Sequence, residues 1–290
     1  MPKSKVIVSS NCQTEGITEA ISIICPEFNT FPIEIKNTTS LDYLPTDLLK
    51  ETSFLISSDP KCFSETFVSQ FRNLKVIRIP QIIFPAFHPD IVYATDKNGN
   101  FIKCLNSDYH SALILWGWKN SLSSSKIISL FDKNVFKKLG YFDCWDSSVK
   151  ELKNRFAKTN IDFTYFWRSV KRYPSFMHSL NHPKVFVISE LSKLISLELG
   201  MSEHILKEPI HDLLTDKLDA QRWPVYPEIA KNFGITGFYR WKIRKDFYNS
   251  LHEFIEMSVE SYKQSDFSAD EVSFFTEGYQ RFNQLLSELK

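Results

Sequence analysis

Three consecutive apolar residues, Val6-Ile7-Val8, open the hydrophobic pattern of the chain, and Ser9-Ser10-Asn11 ends that run. From Thr14 the period changes: Ile17, Ala20, Ile21 and Ile24 share one helical face. The alternation then repeats. Strands are predicted over 5–9, 31–35, 53–56 and 75–79, with helices over 14–24, 44–51 and 61–72 between them. Strand–helix–strand repeats at this spacing imply right-handed crossovers and a parallel sheet covered on both faces. In such sheets ligands bind beyond the carboxyl ends of the strands. Asn11-Cys12-Gln13 falls there, and so does the segment after Ile79. The stretches 91–95 and 101–105 flank Asp96-Lys97-Asn98-Gly99-Asn100, whose Asn-Gly pair predicts a β-hairpin.

From Asp108 onward the periodicity is mostly helical, with helices predicted over 109–118, 124–138, 146–157, 183–199, 227–233, 245–263 and 268–289. Ser268-x-x-Glu271 reads as a capping box for the last. Its Val272, Phe275, Tyr279, Phe282, Leu286 and Leu289 form an apolar seam that needs a partner. The expected architecture is an N-terminal three-layer α/β half over residues 1–105, with a parallel sheet and a β-hairpin. A mostly helical half over residues 106–290 is expected to pack closely on it.

Composition narrows the class. Lys+Arg 35 against Asp+Glu 34 lacks the basic excess of a general nucleic-acid binder. The 25 Phe, 11 Tyr and 6 Trp predict large packed aromatic surfaces or a site with aromatic walls. Five cysteines, at 12, 25, 62, 104 and 144, are odd in number and form no CxxC pair, against both a disulfide framework and structural zinc. No basic-then-apolar leader opens the chain, and no apolar run nears the ~20 residues of a membrane span. A cytoplasmic, reduced setting is expected.

The eight glycines never take the spacing of GxGxxG, GxSxG or a P-loop, and HExxH is absent, so those nucleotide, hydrolase and metal signatures are excluded. Three candidate clusters remain. In Ser10-Asn11-Cys12-Gln13, free backbone N–H groups and the positive helix end favour anions and acidify a thiol. Ser10-x-x-Gln13 equally fits a capping box, and Cys12 a small core residue. In Phe84-Pro85-Ala86-Phe87-His88-Pro89-Asp90, prolines fix a histidine in an extended loop, as a general base requires, or simply make a turn. In Ser179-Leu180-Asn181-His182-Pro183-Lys184, Pro183 fits a first helical position and Asn181 or His182 the cap, which leaves His182 itself unexplained. Arg168, Lys171, Arg172 and Tyr173 before it form a basic, aromatic surface suited to phosphates or to plain solvation. Asp108-Tyr109-His110-Ser111 reads as a helix start with Asp108 as N-cap, and Pro227 with Gly234 brackets another short helix.

Taken in order, Asn11-Cys12-Gln13, His88-Pro89-Asp90, Asp108-Tyr109-His110-Ser111, Asn181-His182-Pro183 and Tyr226-Pro227-Glu228-Ile229-Ala230 resemble the WcbI family of capsule polysaccharide biosynthesis proteins. The resemblance runs from about residue 5 to 235, and Ser10 stands where family members often carry glycine. It implies coenzyme A binding and acetyl transfer to a carbohydrate acceptor, with association with glycosyltransferases left open; the charge balance and the missing motifs separately predict no nucleic acid and no metal. Homo-oligomerisation stays open.

Two routes fit that chemistry. In one, Cys12 as thiolate attacks the thioester. In the other, His88 or His182 deprotonates the sugar directly, with His88 the favoured base because it lies just past a strand end of the sheet that presents Cys12, while Asn11, Gln13 and the turn's N–H groups hold the oxyanion. The first is slightly favoured by the helix start. Asp90 is assigned to orient a histidine. Ser10, Asn11, Gln13, Asn181, Lys171 and Arg172 are the candidate cofactor contacts. Two rivals remain: an SGNH-like esterase with Ser10 as nucleophile, for which no Asp-x-x-His exists in the chain, and a non-catalytic coenzyme A or sugar-precursor binder.

Overall fold

Val6, Ile7 and Val8 have no solvent exposure, because strand β1 (Ser4–Ser9) lies inside a parallel sheet. A computed structural model describes residues 3–36, 40–265, 267–275 and 279–288. It is a mixed α/β protein with an N-terminal four-stranded parallel sheet and a mostly helical C-terminal part. The chain groups into two units, one from residues 1–83, 149–177 and 181–219, the other from residues 84–148, 178–180 and 220–290.

The first unit holds the sheet, ordered β2-β1-β3-β4, with β2 at Phe28–Pro32, β3 at Thr52–Ser57 and β4 at Lys75–Arg78. β2 begins earlier than predicted, because Phe28 to Pro32 pair with Ser4 to Val8. Pro32 is tolerated there because β2 is an edge strand. Ile33 and Ile35 still donate their N–H groups to the carbonyls of Val8 and Ser10. Successive side chains of β1 alternate between faces. Ile7 joins Leu44, Leu49, Leu55, Phe67, Phe71 and Leu74 in one buried cluster. Helix α1 (Thr14–Ile24) has the bounds that the periodicity predicts. It packs on the helix Val185–Glu198. Gly16 allows that approach, since a Cβ there would sit 3.3 Å from Ile188 Cγ2. Ser189, Ser192 and Ser196 are fully buried small residues on the second helix.

In the second unit, strand Ile91–Thr95 pairs antiparallel with His110–Ser111 and with Ser273–Phe275. The predicted hairpin is reduced to its turn. Gly99 takes φ +80°, Asp96 Oδ1 accepts the N–H groups of Asn98 and Asn100, and one bridge joins Thr95 to Phe101. The predicted 268–289 helix is likewise corrected. Its capping box forms, but closes only a single turn at Ala269–Glu271, after which the chain enters the strand Ser273–Phe275. A helix follows at Tyr279–Ser287, and Leu289 of the expected seam lies outside the described residues. The 124–138 helix breaks in two where Asp132 caps Lys133–Lys138. The 245–263 helix starts only at Leu251, capped by Ser250. Helix Phe163–Val170, capped by Asp162, was not predicted. Among the described residues no helix is long and apolar enough to cross a membrane.

Candidate functional site

The crossing from β1 to α1 is shaped by Asn11. Its carbonyl accepts the N–H of Thr14 at 2.9 Å and the Thr14 hydroxyl at 2.7 Å. Its Oδ1 accepts the Gln13 N–H at 3.1 Å, an Asx turn. Thr14 Oγ1 also accepts the Ser10 N–H at 3.0 Å. These bonds displace the expected Ser10–Gln13 capping box: Gln13 is the N-cap and makes no side-chain cap bond. Ser10 Oγ instead meets Ser58 Oγ at 2.9 Å, and Ser58 Oγ accepts from Gln81 Nε2 at 3.1 Å.

Ser58 follows β3, so this hydroxyl pair joins the carboxyl ends of β1 and β3. With the order β2-β1-β3-β4, the chain leaves β1 toward one sheet edge and β3 toward the other. That is the topological switch point where open α/β sheets bind ligands.

Gln13 points inward. Its Oε1 accepts the Ile82 N–H at 3.1 Å, while Nε2 donates to the carbonyls of Ile82 (2.8 Å) and Asn181 (3.1 Å). One buried amide thus pins two distant segments to the turn. Cys12 Sγ lies 3.9 Å from the same Asn181 carbonyl. Cys12 is half-buried. Burial pushes its thiol up to about 12, the Glu34 carboxylate adds to the rise, and its own N–H opposes it. The expectation of an acidified thiol is corrected: desolvation outweighs the helix end. At neutral pH the thiol is therefore held in its neutral form.

Asn181 and His182 are half-buried beside this turn's partner carbonyl. Neither caps the following helix. Lys184 is the N-cap, held extended with its N–H on the Phe176 carbonyl at 3.0 Å, and Pro183 bridges to Met177. Lys171, Arg172 and Tyr173 are exposed in the same unit, Tyr173 packing on Phe186 with ring centroids 3.9 Å apart.

His88 and Asp90 belong to the second unit. His88 is 2% exposed and its Nε2 lies 2.9 Å from the Trp223 carbonyl. A carbonyl only accepts, so Nε2 carries the proton. Asp90 is wholly buried. Its Oδ2 accepts the Tyr226 hydroxyl at 2.7 Å, and its Oδ1 the Tyr141 hydroxyl at 3.0 Å and the Leu113 N–H at 3.2 Å. Burial pushes this carboxyl up to about 6, while hydrogen bonds from Ser111, Tyr226, Leu113 and Tyr141 restrain the rise. Asp90 therefore anchors two tyrosines and a helix start rather than orienting a histidine. That helix, Ala112–Lys119, is capped by Ser111, not Asp108, because the backbone stays extended through His110–Ser111. His110 is buried between the Tyr262 hydroxyl (2.9 Å) and the Ile102 carbonyl (3.2 Å), and burial pushes its imidazole down to about 4.

Sequence reasoning missed Glu34 and Ser58, although Ser58 follows β3 as Ser10 follows β1. Gln81 and Ile82 lie in the flagged segment after Ile79. A groove of about 600 Å³ lined by Leu44, Leu49, Lys61, Phe67 and Phe71 contains none of the candidate residues, so size alone does not mark the site. Among the described residues no group of three or more His, Cys, Asp or Glu is placed to hold a metal ion.

A parallel sheet whose switch point carries Asn11, Cys12 and Gln13 defines an open α/β protein, a class whose ligands bind at the carboxyl edge of the sheet. The polysaccharide biosynthesis enzyme WcbI supplies the family profile that matches residues 5–204, and the chain belongs to the WcbI family. A solved WcbI structure, described as the native protein without a disulfide bond between coenzyme A and a cysteine, superposes with a TM-score of 0.72. Identity is 13%, covering 98% of this chain and 95% of that one, so the likeness is one of fold. No curated protein matches the sequence at a significant level.

Proposed function

We propose that the protein transfers an acetyl group from acetyl-coenzyme A to a sugar hydroxyl in surface or capsule polysaccharide assembly, with the cofactor's sulfur held beside Cys12. The observation that carries this reading is the half-buried Cys12 at the β1–β3 switch point of a WcbI-family chain. The related structure is described as the native protein without a disulfide bond between coenzyme A and a cysteine, which names the pairing that the chemistry there must consider. Such a bond needs the two sulfurs about 2 Å apart, and Cys12 is our candidate for the equivalent contact. On this reading the enzyme works alongside glycosyltransferases in the cytoplasm.

The raised thiol favours direct transfer over an acyl-enzyme, because a neutral thiol is a weak nucleophile. The sugar oxygen attacks the thioester carbonyl. A C–O bond forms, the C–S bond breaks, and the hydroxyl proton passes through a base to the departing thiolate. We assign His182 as that base, ahead of His88. Its neighbour Asn181 touches both Cys12 and Gln13, whereas His88 is buried with Nε2 committed to Trp223. Asn11 and the turn's N–H groups are assigned to the oxyanion. Gln13 positions the turn, since its side chain is occupied by Ile82 and Asn181. Lys171 and Arg172 are assigned to the cofactor's phosphates. The esterase alternative loses support, because Ser10 is buried with its hydroxyl on Ser58.

Coenzyme A at about 100 times its dissociation constant should stabilise the fold by about 2.7 kcal/mol, and NAD should not. Under oxidation one coenzyme A should attach to the wild type, and Cys12→Ser should abolish the adduct. Cys12→Ser should retain acetyl transfer, while His182→Ala should lose about 10²–10⁴ in rate with coenzyme A binding intact. No thermal shift with either coenzyme A form would overturn the assignment. Loss of all transfer in a folded Cys12→Ser protein would overturn the direct route.

A further inference from the structure

In the second unit, the strands Gln221–Arg222, Trp241–Ile243 and Asp246–Tyr248 form a small antiparallel sheet. Its inner face is fixed by Trp241, Ile243 and Tyr248, all buried, with Trp241 stacked on Phe254 at 4.1 Å. Alternation then dictates the outer face. Lys242 pairs with Arg222 on one side and Phe247 on the other, so these three side chains form one row. Exposure alternates upstream as well: Phe238 and Arg240 face out, whereas Tyr239 turns in, its hydroxyl on Glu228 at 2.8 Å. Arg244 and Lys245 occupy the exposed turn, with Arg244 Nε donating to the Asn106 carbonyl.

Charge and apolar surface coincide here. Between Phe238 and Tyr248 the chain carries Arg240, Lys242, Arg244 and Lys245 against the single acid Asp246, in a protein whose formal net charge is only +1. Phe238 and Phe247 are 54% and 58% exposed. Single exposed apolar residues need no explanation, but Phe247 in one row with Arg222 and Lys242, with Phe238 and Arg240 exposed just upstream in the chain, does.

We infer that this face docks the protein on an anionic phospholipid surface, with Phe247 and Phe238 entering the acyl boundary and the cations meeting lipid phosphates. Phenylalanine has no polar tip to be satisfied, which suits that boundary better than contact with a hydrated glycan. Arg and Lys at headgroup level are the matching chemistry. The assignment is independent of the coenzyme A reading.

Co-sedimentation with vesicles tests it. Vesicles of equal parts phosphatidylcholine and phosphatidylglycerol should bind the full chain at low salt, and pure phosphatidylcholine vesicles should not. High salt should release the bound protein. At about fivefold per charge removed, the double variant Arg240→Glu, Lys245→Glu should bind at least about 25-fold more weakly. Phe247→Ala should cost about tenfold, and Phe247→Trp should restore binding because tryptophan favours the interface. These side chains point outward, so circular dichroism and melting temperature should match the wild type. Equal binding to both vesicle types would overturn the proposal. So would undiminished binding by the double variant, or capture by an acidic polysaccharide with no vesicle binding.

Discussion

Two buried groups of the second unit titrate in nearly the same window with opposite effects on stability. Burial pushes Asp90 from its ordinary 3.8 up to about 6. Its contribution is therefore fully present below about 3.8 and is lost as the pH rises through about 6. Burial pushes His110 from 6.5 down to about 4. Its contribution is fully present above 6.5 and is lost as the pH falls through about 4. Each displacement is worth about 3 kcal/mol, so in the wild type the two slopes should nearly cancel between about pH 4 and 6.5. Asp90→Asn removes one slope, and the variant should gain about 3 kcal/mol of stability on going up through that range. His110→Gln removes the other, and that variant should lose a similar amount. Urea unfolding followed by tryptophan fluorescence, taken as the difference between wild type and variant, isolates each group from the carboxylates they share. Three parallel pH profiles would refute the reasoning. Asp90→Ala adds a constant cost, because the Tyr141 and Tyr226 hydroxyls and the Leu113 N–H lose their acceptor. That cost should be about 3–6 kcal/mol.

Cys12 should alkylate slowly with iodoacetamide at neutral pH and accelerate steadily toward about pH 12, and Glu34→Gln should speed it; rapid labelling at neutral pH would contradict the raised thiol. Gln13→Ala strands the Ile82 N–H and two carbonyls, so denaturation should show a loss of about 2–4 kcal/mol; a loss within error would remove Gln13 as the clamp of the turn. Gly237→Ala would place a Cβ 2.6 Å from Ala230 Cβ and 2.7 Å from Pro227 Cα, backbone that cannot swing aside. It should destabilise by about 1–3 kcal/mol in the same assay, and an unchanged midpoint would show that the loop relaxes freely.

Much of the first unit was legible in the chain. Its strands are short apolar runs between helical periods, and α1 needed only Ile17, Ala20, Ile21 and Ile24 to set its face. The turn carrying Asn11-Cys12-Gln13 followed from the change of period alone. Pro227 and Gly234 bracket the helix Pro227–Asn232 as expected, Gly234 at φ +66° with the Ile235 N–H on the Ala230 carbonyl. All of these rest on interactions between residues close in sequence.

What failed depended on partners far away. Ser273–Phe275 lies in a stretch with helical periodicity, yet it completes a sheet with Ile91–Thr95, since an available strand edge outweighs a weak local preference. His88-Pro89-Asp90 reads locally as a catalytic loop or a turn. Only the fold brings Tyr141 and Tyr226 onto the Asp90 carboxylate. By itself the sequence determined that a cysteine stands at a helix start, at the carboxyl edge of a parallel sheet. The tertiary structure decided its chemistry, because desolvation by distant segments and the field of Glu34 raise the thiol more than the helix end can lower it.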